Sequence, residues 1–220
     1  MSLYEDALAA FRSGATSEAA SIAEDLVRTS RASEDVSGEI DGLCMLARVA
    51  LRQGDLKRVA MLAGEGRGLA LRKKEPRLEQ MPLHLEAVAA RMQGDFGTAR
   101  QLYKESIDLN RQLGEERMVA AEHRNVAYVE LHDGNGPKAR ELFLSSASLA
   151  RGCGYDELEP YLLLDSAVLA FDEGEAARAG QLLEETRARF AAAGQIPDPD
   201  DAAEAEWLRK RLDEVAPDSQ

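Results

Sequence analysis

The residues best equipped for chemistry are few and scattered. Cys44 and Cys153 stand 109 positions apart with no CxxC pair and no neighbouring histidine, so the pattern predicts buried thiols in a reducing compartment, with no disulfide framework or zinc site. His84, His123 and His132 include no i, i+4 pair of the kind that grips a metal from one helix face, which leaves pH-dependent contacts as their natural chemistry. Gly64, Gly66 and Gly68 suggest a phosphate cradle, but no strand precedes them and Leu69 stands where a dinucleotide fingerprint needs glycine. No GxSxG elbow, HExxH helix or P-loop occurs. The chain is therefore expected to be no enzyme and to have no catalytic residues, metal or cofactor.

Composition points the same way. The sequence carries 27 Lys and Arg against 40 Asp and Glu, a net charge of −13, which argues against direct nucleic-acid binding because phosphate neutralisation needs a concentrated basic face. Acids at Glu5, Asp6, Glu18, Glu24 and Asp25 interrupt any secretory signal, and no apolar run reaches the roughly 18 residues of a membrane span. A cytoplasmic protein without membrane contact is expected. Ala, Leu, Glu and Arg dominate and aromatic residues make up 5%, a mixture that favours helices throughout.

The elements show themselves as a repeat. Glycine recurs at Gly14, Gly54, Gly94, Gly134 and Gly174, a constant step of 40. Each follows an apolar helical stretch and precedes a short polar start, as a left-handed helix cap should. Seven residues earlier stand Ala7, Ala47, Ala87, Ala127 and Ala167; five residues later stand Ala19, Val59, Ala99, Ala139 and Ala179. Small side chains in these columns let paired helices approach closely. Gly114, Gly154 and Gly194 close three of the hairpins. The glycines at 64, 66 and 68 fall in mid-helix, costing about 1 kcal/mol each relative to alanine, which predicts close helix approach or a kink and a soft helix.

With Ala87, then Gly94-Asp95-Phe96, then Ala99 and Tyr103 as the carried motif, residues 3 to 194 resemble the tetratricopeptide repeat family. The 40-residue step is longer than that family's usual repeat and resembles the longer-helix variants of bacterial regulator sensor domains and cargo adaptors. The resemblance implies an all-α, right-handed α-solenoid of five helix-turn-helix repeats over 1–195. Residues 196–220 then supply a linker, a capping helix and a polar tail, with Leu208, Leu212 and Val215 as a lid on repeat five and Trp207 packing beside them.

In such an array the first helix of each repeat lines the concave wall. The family's groove positions, carried over by their distance from the turn glycine, fall on Asp41, Cys44, Arg48, Leu51 and Arg52 in repeat two and on Met81, His84, Val88, Arg91 and Met92 in repeat three. Repeat four presents Ala121, Arg124, Tyr128, Leu131 and His132, and repeat five Tyr161, Leu164, Val168, Phe171 and Asp172. Asn125 lies beside Arg124. An acidic chain thus places Arg48, Arg52, Arg91 and Arg124 on one stripe. That wall is expected to hold a peptide or protein segment, acidic because arginine forks select carboxylates, with Val88, Met92, Tyr128 and Tyr161 for its apolar side chains. The competing expectation pairs these arginines with acids of neighbouring first helices, such as Glu86, Glu122 and Glu130. Under the groove reading, reversing the charge of Arg48, Arg91 and Arg124 abolishes capture without altering the helical melt. Two other roles stand beside the binding scaffold or adaptor: the effector-binding sensor module of a bacterial transcriptional regulator or signalling protein, and a structural protein that forms homodimers through its solenoid ends.

Overall fold

The computed structural model describes residues 2–215, and among these every regular element is helical. Five hairpins follow one another: α1 (Leu3–Arg12) with α2 (Thr16–Ala32), α3 (Val36–Arg52) with α4 (Leu56–Lys73), α5 (Pro76–Met92) with α6 (Phe96–Leu113), α7 (Glu116–His132) with α8 (Gly136–Gly152), and α9 (Glu159–Asp172) with α10 (Ala176–Ala192). A 3-10 turn at Asp156–Leu158 precedes α9, and α11 spans Pro199–Val215. The polar tail expected after Val215 lies outside the described residues.

The backbone halves the repeat read from the glycines. Residues 14, 34, 54, 74, 94, 114, 134, 154, 174 and 194 all have positive φ, so a left-handed residue ends a helix every 20 positions. Eight are glycine; Glu34 and Lys74 hold φ of 56° and 57°. Side chains in that region cost about 1–2 kcal/mol. Both sites are exposed, so Glu34→Gly and Lys74→Gly are each expected to raise the urea midpoint, by a stabilisation of about 1 kcal/mol. Where the turn reads Gly-Asp, the aspartate completes the cap: Asp55 accepts from the Arg58 N–H at 3.1 Å and Asp95 from the Thr98 N–H at 3.1 Å.

Packing follows the small-residue columns. The five alanines before the turn glycines are 0% exposed, and the five residues after them at most 1%, so each hairpin closes on side chains too small to hold its helices apart. Gly42 lies closest to the backbone of a neighbouring helix. A methyl group there would sit 2.6 Å from Val27 Cγ2 and 3.1 Å from the Val27 backbone nitrogen. Two of the mid-helix glycines of α4 meet α5 at 3.4 Å from where a Cβ would stand, Gly66 at the Pro82 ring and Gly64 at the Glu86 carboxylate; Gly68 faces only the tip of Arg72. The expectation of close approach therefore holds at Gly64 and Gly66, and α4 runs unbroken through all three. Gly68→Ala should stabilise by about 1 kcal/mol. Gly42→Ala should destabilise by about 1–3 kcal/mol, because its obstruction is partly backbone. Thermal melts of the two variants moving in opposite directions would check both.

Successive first helices touch across repeats, α1 with α3, α3 with α5 and α5 with α7, and they form the inner wall. The buried apolar core divides. One cluster runs through repeats one to three, and a second joins α7 to α10 with Leu208 of α11. Between α6 and α7 lies a polar seam in which Ser106 donates to Glu122 at 2.7 Å and Asn110 is fully buried. The C-terminal helix does pack against repeat five, with Leu208 fully buried beside Leu164, Val168 and Leu183. It does more than cap, because it also reaches α3 and its acidic first turns lie along the inner wall.

Candidate functional site: an arginine-lined inner groove

The concave surface is built mainly by first helices. Its main cavity, about 350 Å³, is lined from α1, α3, α5, α7 and α9, from the Tyr155–Leu158 turn, and from residues 195–201. The i, i+3, i+4 geometry that buries the alanine column turns the residues three and ten positions before each turn glycine toward this space. Arg124 reaches it that way, at 4% exposure, while Arg91, at 3%, is covered by Asp200 and Glu204 of the C-terminal helix.

Each groove arginine holds an oxygen of the C-terminal segment. Arg48 donates to Asp198 at 2.7 Å. Arg52 donates to the carbonyls of Phe11 at 2.6 Å and Pro197 at 3.4 Å, and its guanidinium lies 3.7 Å over the Phe11 ring. Arg91 donates to Asp200 at 2.7 Å and also to Glu204. Arg124 grips both oxygens of Asp165 at 2.8 and 3.0 Å through Nε and reaches Asp201 through a terminal nitrogen. Tyr128 donates to Asp165 at 2.9 Å, Tyr161 to Asp198 at 3.3 Å, and His132 contacts Glu204 at 2.7 Å while meeting Trp207 edge-on. The Ile196 N–H closes the ring by donating to the Arg12 carbonyl at 3.1 Å.

Burial sets the electrostatics. It pushes Asp165 up to about 6 against the pull of Arg124, and Asp201 up to about 8, where Asp200 and Asp198 add to the effect. Burial also works against the Asp198 anion, but Arg48 and Tyr161 outweigh it and hold that carboxyl low. At the polar seam burial opposes a charged His84, yet Glu122 at 3.0 Å raises its pKa; Glu122 is lowered in turn by His84, Ser106 and Asn125.

The structure thus gathers most of the residues expected to face a ligand. Arg48, Arg52, His84, Arg91, Arg124, Asn125, Tyr128, His132 and Tyr161 all lie on the inner surface or in its hydrogen-bond network. Val88 is 1% exposed and forms part of the cavity floor. Met92 does not join them, being packed at the edge of the first apolar cluster. The competing expectation holds in kind at Arg124, which pairs with Asp165 on the neighbouring first helix α9, but not with the acids named. Glu86 pairs with Arg67 and Glu130 with Arg100, both on second helices, Glu122 meets His84, and Arg48, Arg91 and Arg124 take acids of the C-terminal segment. Reversing their charge cannot leave the melt unchanged, because Arg91 and Arg124 are buried partners of buried carboxylates. Asp165, Asp200, Asp201 and Glu204 are the groove residues that sequence reasoning did not single out. For the last three a signal was present in the run Asp198-Pro199-Asp200-Asp201 with Glu204, a cluster of acids following an array whose groove stripe carries four arginines.

No sequence-family model matches the chain, and no curated protein sequence matches it. Solved structures do. A Rap protein crystallised in complex with Competence and Sporulation Factor superposes with a TM-score of 0.73 at 15% identity over 96% of this chain, which spans only 56% of the Rap chain. BtubC (BKLC) from P. vanneervenii superposes with a TM-score of 0.58 at 16% identity, covering all of this chain and 96% of that one. At these identities the likeness speaks for architecture, and the chain has a tetratricopeptide-like helical-repeat fold.

Proposed function

We propose that this chain is a non-catalytic protein-binding scaffold whose inner groove takes an acidic helical segment. The observation that carries the reading is the seating of Asp200, Asp201 and Glu204 on Arg91 and Arg124 in a surface otherwise built for solvent or a ligand. Guanidinium forks fixed on rigid helices favour carboxylates over neutral groups, and a low dielectric strengthens that preference. The Rap neighbour was crystallised in complex with Competence and Sporulation Factor, which supports a binding role for a fold of this shape.

A full-length chain with Asp198→Asn, Asp200→Asn, Asp201→Asn and Glu204→Gln frees the groove of its own acids and tests the reading directly. A labelled peptide of residues 195–215 should bind it, with affinity falling as salt rises, while the same peptide with those four acids amidated should not. Equal binding of the two peptides removes charge recognition from the groove.

A second reading, a sensor module for a small effector, draws on the cavity of about 350 Å³ left beside the C-terminal segment, where His84, Asn125 and Tyr161 meet an apolar floor. Native mass spectrometry of protein taken from its own host would show a retained small molecule if this reading holds.

A further inference from the structure

The C-terminal helix is docked in an unusual way for a structural element. The buried residues of α11 are Asp200, Asp201, Glu204 and Leu208, three carboxylates and one apolar side chain, whereas α3 buries Ile40, Leu43, Met45 and eight other residues besides, none of them charged. Apolar burial is what makes a helix adhere; buried ion pairs return little net free energy, because desolvation offsets their attraction. One further observation shows that the segment fits its seat incompletely. It leaves the cavity of about 350 Å³ open, and this shares Met81 and Met118 with a neighbouring cavity of about 250 Å³, so an apolar strip of the groove is uncovered. A tether of exposed residues, Ala193, Gly194 and Gln195, joins the segment to α10 and keeps it close at an effective concentration of the order of millimolar.

We propose that residues 196–212 are a displaceable ligand of their own groove, and that the partner replacing them is an acidic amphipathic helix of another protein. It would carry carboxylates in the spacing of Asp198, Asp200, Asp201 and Glu204 and a leucine at the position of Leu208. This rests on the groove function proposed above and adds its partner and its control. The partner gains over the resident segment by covering the Met81–Met118 strip with larger apolar side chains. The tethered segment, in turn, excludes weaker acidic sequences.

Trp207 is the only tryptophan and sits on α11, so its emission reports docking. A protease site inserted between Gly194 and Gln195 in the full chain, then cut with both pieces retained, removes the tether. The cut segment should leave on dilution to about 0.1 μM, seen as a red shift of Trp207, while the helical signal of the array persists. A peptide of residues 195–215 carrying Trp207→Phe should displace the segment from cut protein at a concentration at least about tenfold lower than from intact protein. Trp207 emission left unshifted under dilution and excess peptide would overturn the proposal, as would loss of the helical signal on cutting, since either makes α11 a permanent part of the fold. Failure of the acid-neutralised chain to bind the acidic peptide would instead overturn the groove reading itself.

Discussion

Replacing Arg124 by methionine is expected to lower stability by about 3–5 kcal/mol at pH 8, read as a drop in the urea midpoint. The size comes from what the substitution leaves behind. Arg124 is 4% exposed and is the shared counter-charge of Asp165 and Asp201, themselves 3% and 5% exposed. Without it two carboxylates face one buried space with only the Tyr128 hydroxyl, 2.9 Å from Asp165, to stabilise either anion. The guanidinium also stacks 5.0 Å from the Tyr128 ring and 5.3 Å from that of Tyr161, and methionine replaces part of that contact only. Adding Asp165→Asn and Asp201→Asn should restore most of the loss, because the damage lies in the orphaned charges and the pair itself contributes little net free energy. Arg31 supplies the contrast. Its partners Glu39 and Glu65 are also within 2.7 Å, but the Arg31 side chain is 50% exposed, and Arg31→Ala should cost less than about 1 kcal/mol. A loss at Arg124 no larger than that at Arg31 would show that α11 is already free of the groove in solution.

That contrast also marks what was legible in the sequence. The alanine and glycine columns specify the hairpins because the close-packed seam tolerates nothing larger, so Ala7, Ala47 and their equivalents announce both the helices and their pairing. Two of the ten left-handed positions were hidden where Glu34 and Lys74 stand in for glycine, since a surface turn can bear a strained side chain at a cost of about 1 kcal/mol. Periodicity also aims the arginines correctly, because helical phase alone turns Arg48, Arg91 and Arg124 inward. It cannot say what meets them. Arg124 finds Asp165 41 residues away and Asp201 77 away, the second by way of a tether that carries no periodic signal. The apolar stripe of α11 correctly indicates contact with repeat five through Leu208, but three carboxylates on its buried face read as solvent-exposed residues until their cationic seats are known.

Docking of α11 should weaken as pH rises from about 5 to about 8.5. Asp165 and Asp201 are held above the ordinary carboxylate range, to about 6 and about 8, so the folded state retains protons that the unfolded chain releases. Their contribution is fully present below the unfolded value and is lost as pH climbs through those two values. His84, raised by Glu122, acts in the same direction, its stabilisation fading as the ring deprotonates. Asp198 and Glu122 are depressed and act oppositely, but their contribution is lost only as pH falls through the ordinary carboxylate range, which leaves the window between about 5 and 8.5 to the first three groups. The charges facing the segment come from every first helix it meets: Arg48 on α3, His84 and Arg91 on α5, Arg124 and His132 on α7, and Asp165 on α9. With each pK unit equal to about 1.4 kcal/mol, the combined change across the window is of the order of several kcal/mol. The urea midpoint followed by Trp207 emission should therefore fall across that range, and Asp201→Asn, which cannot ionise, should flatten the upper part of the fall. A midpoint that instead rises between pH 6 and 8.5 would mean that Asp201 is seated as an anion, and that Arg124 outweighs the burial and neighbouring acids that now keep its proton on.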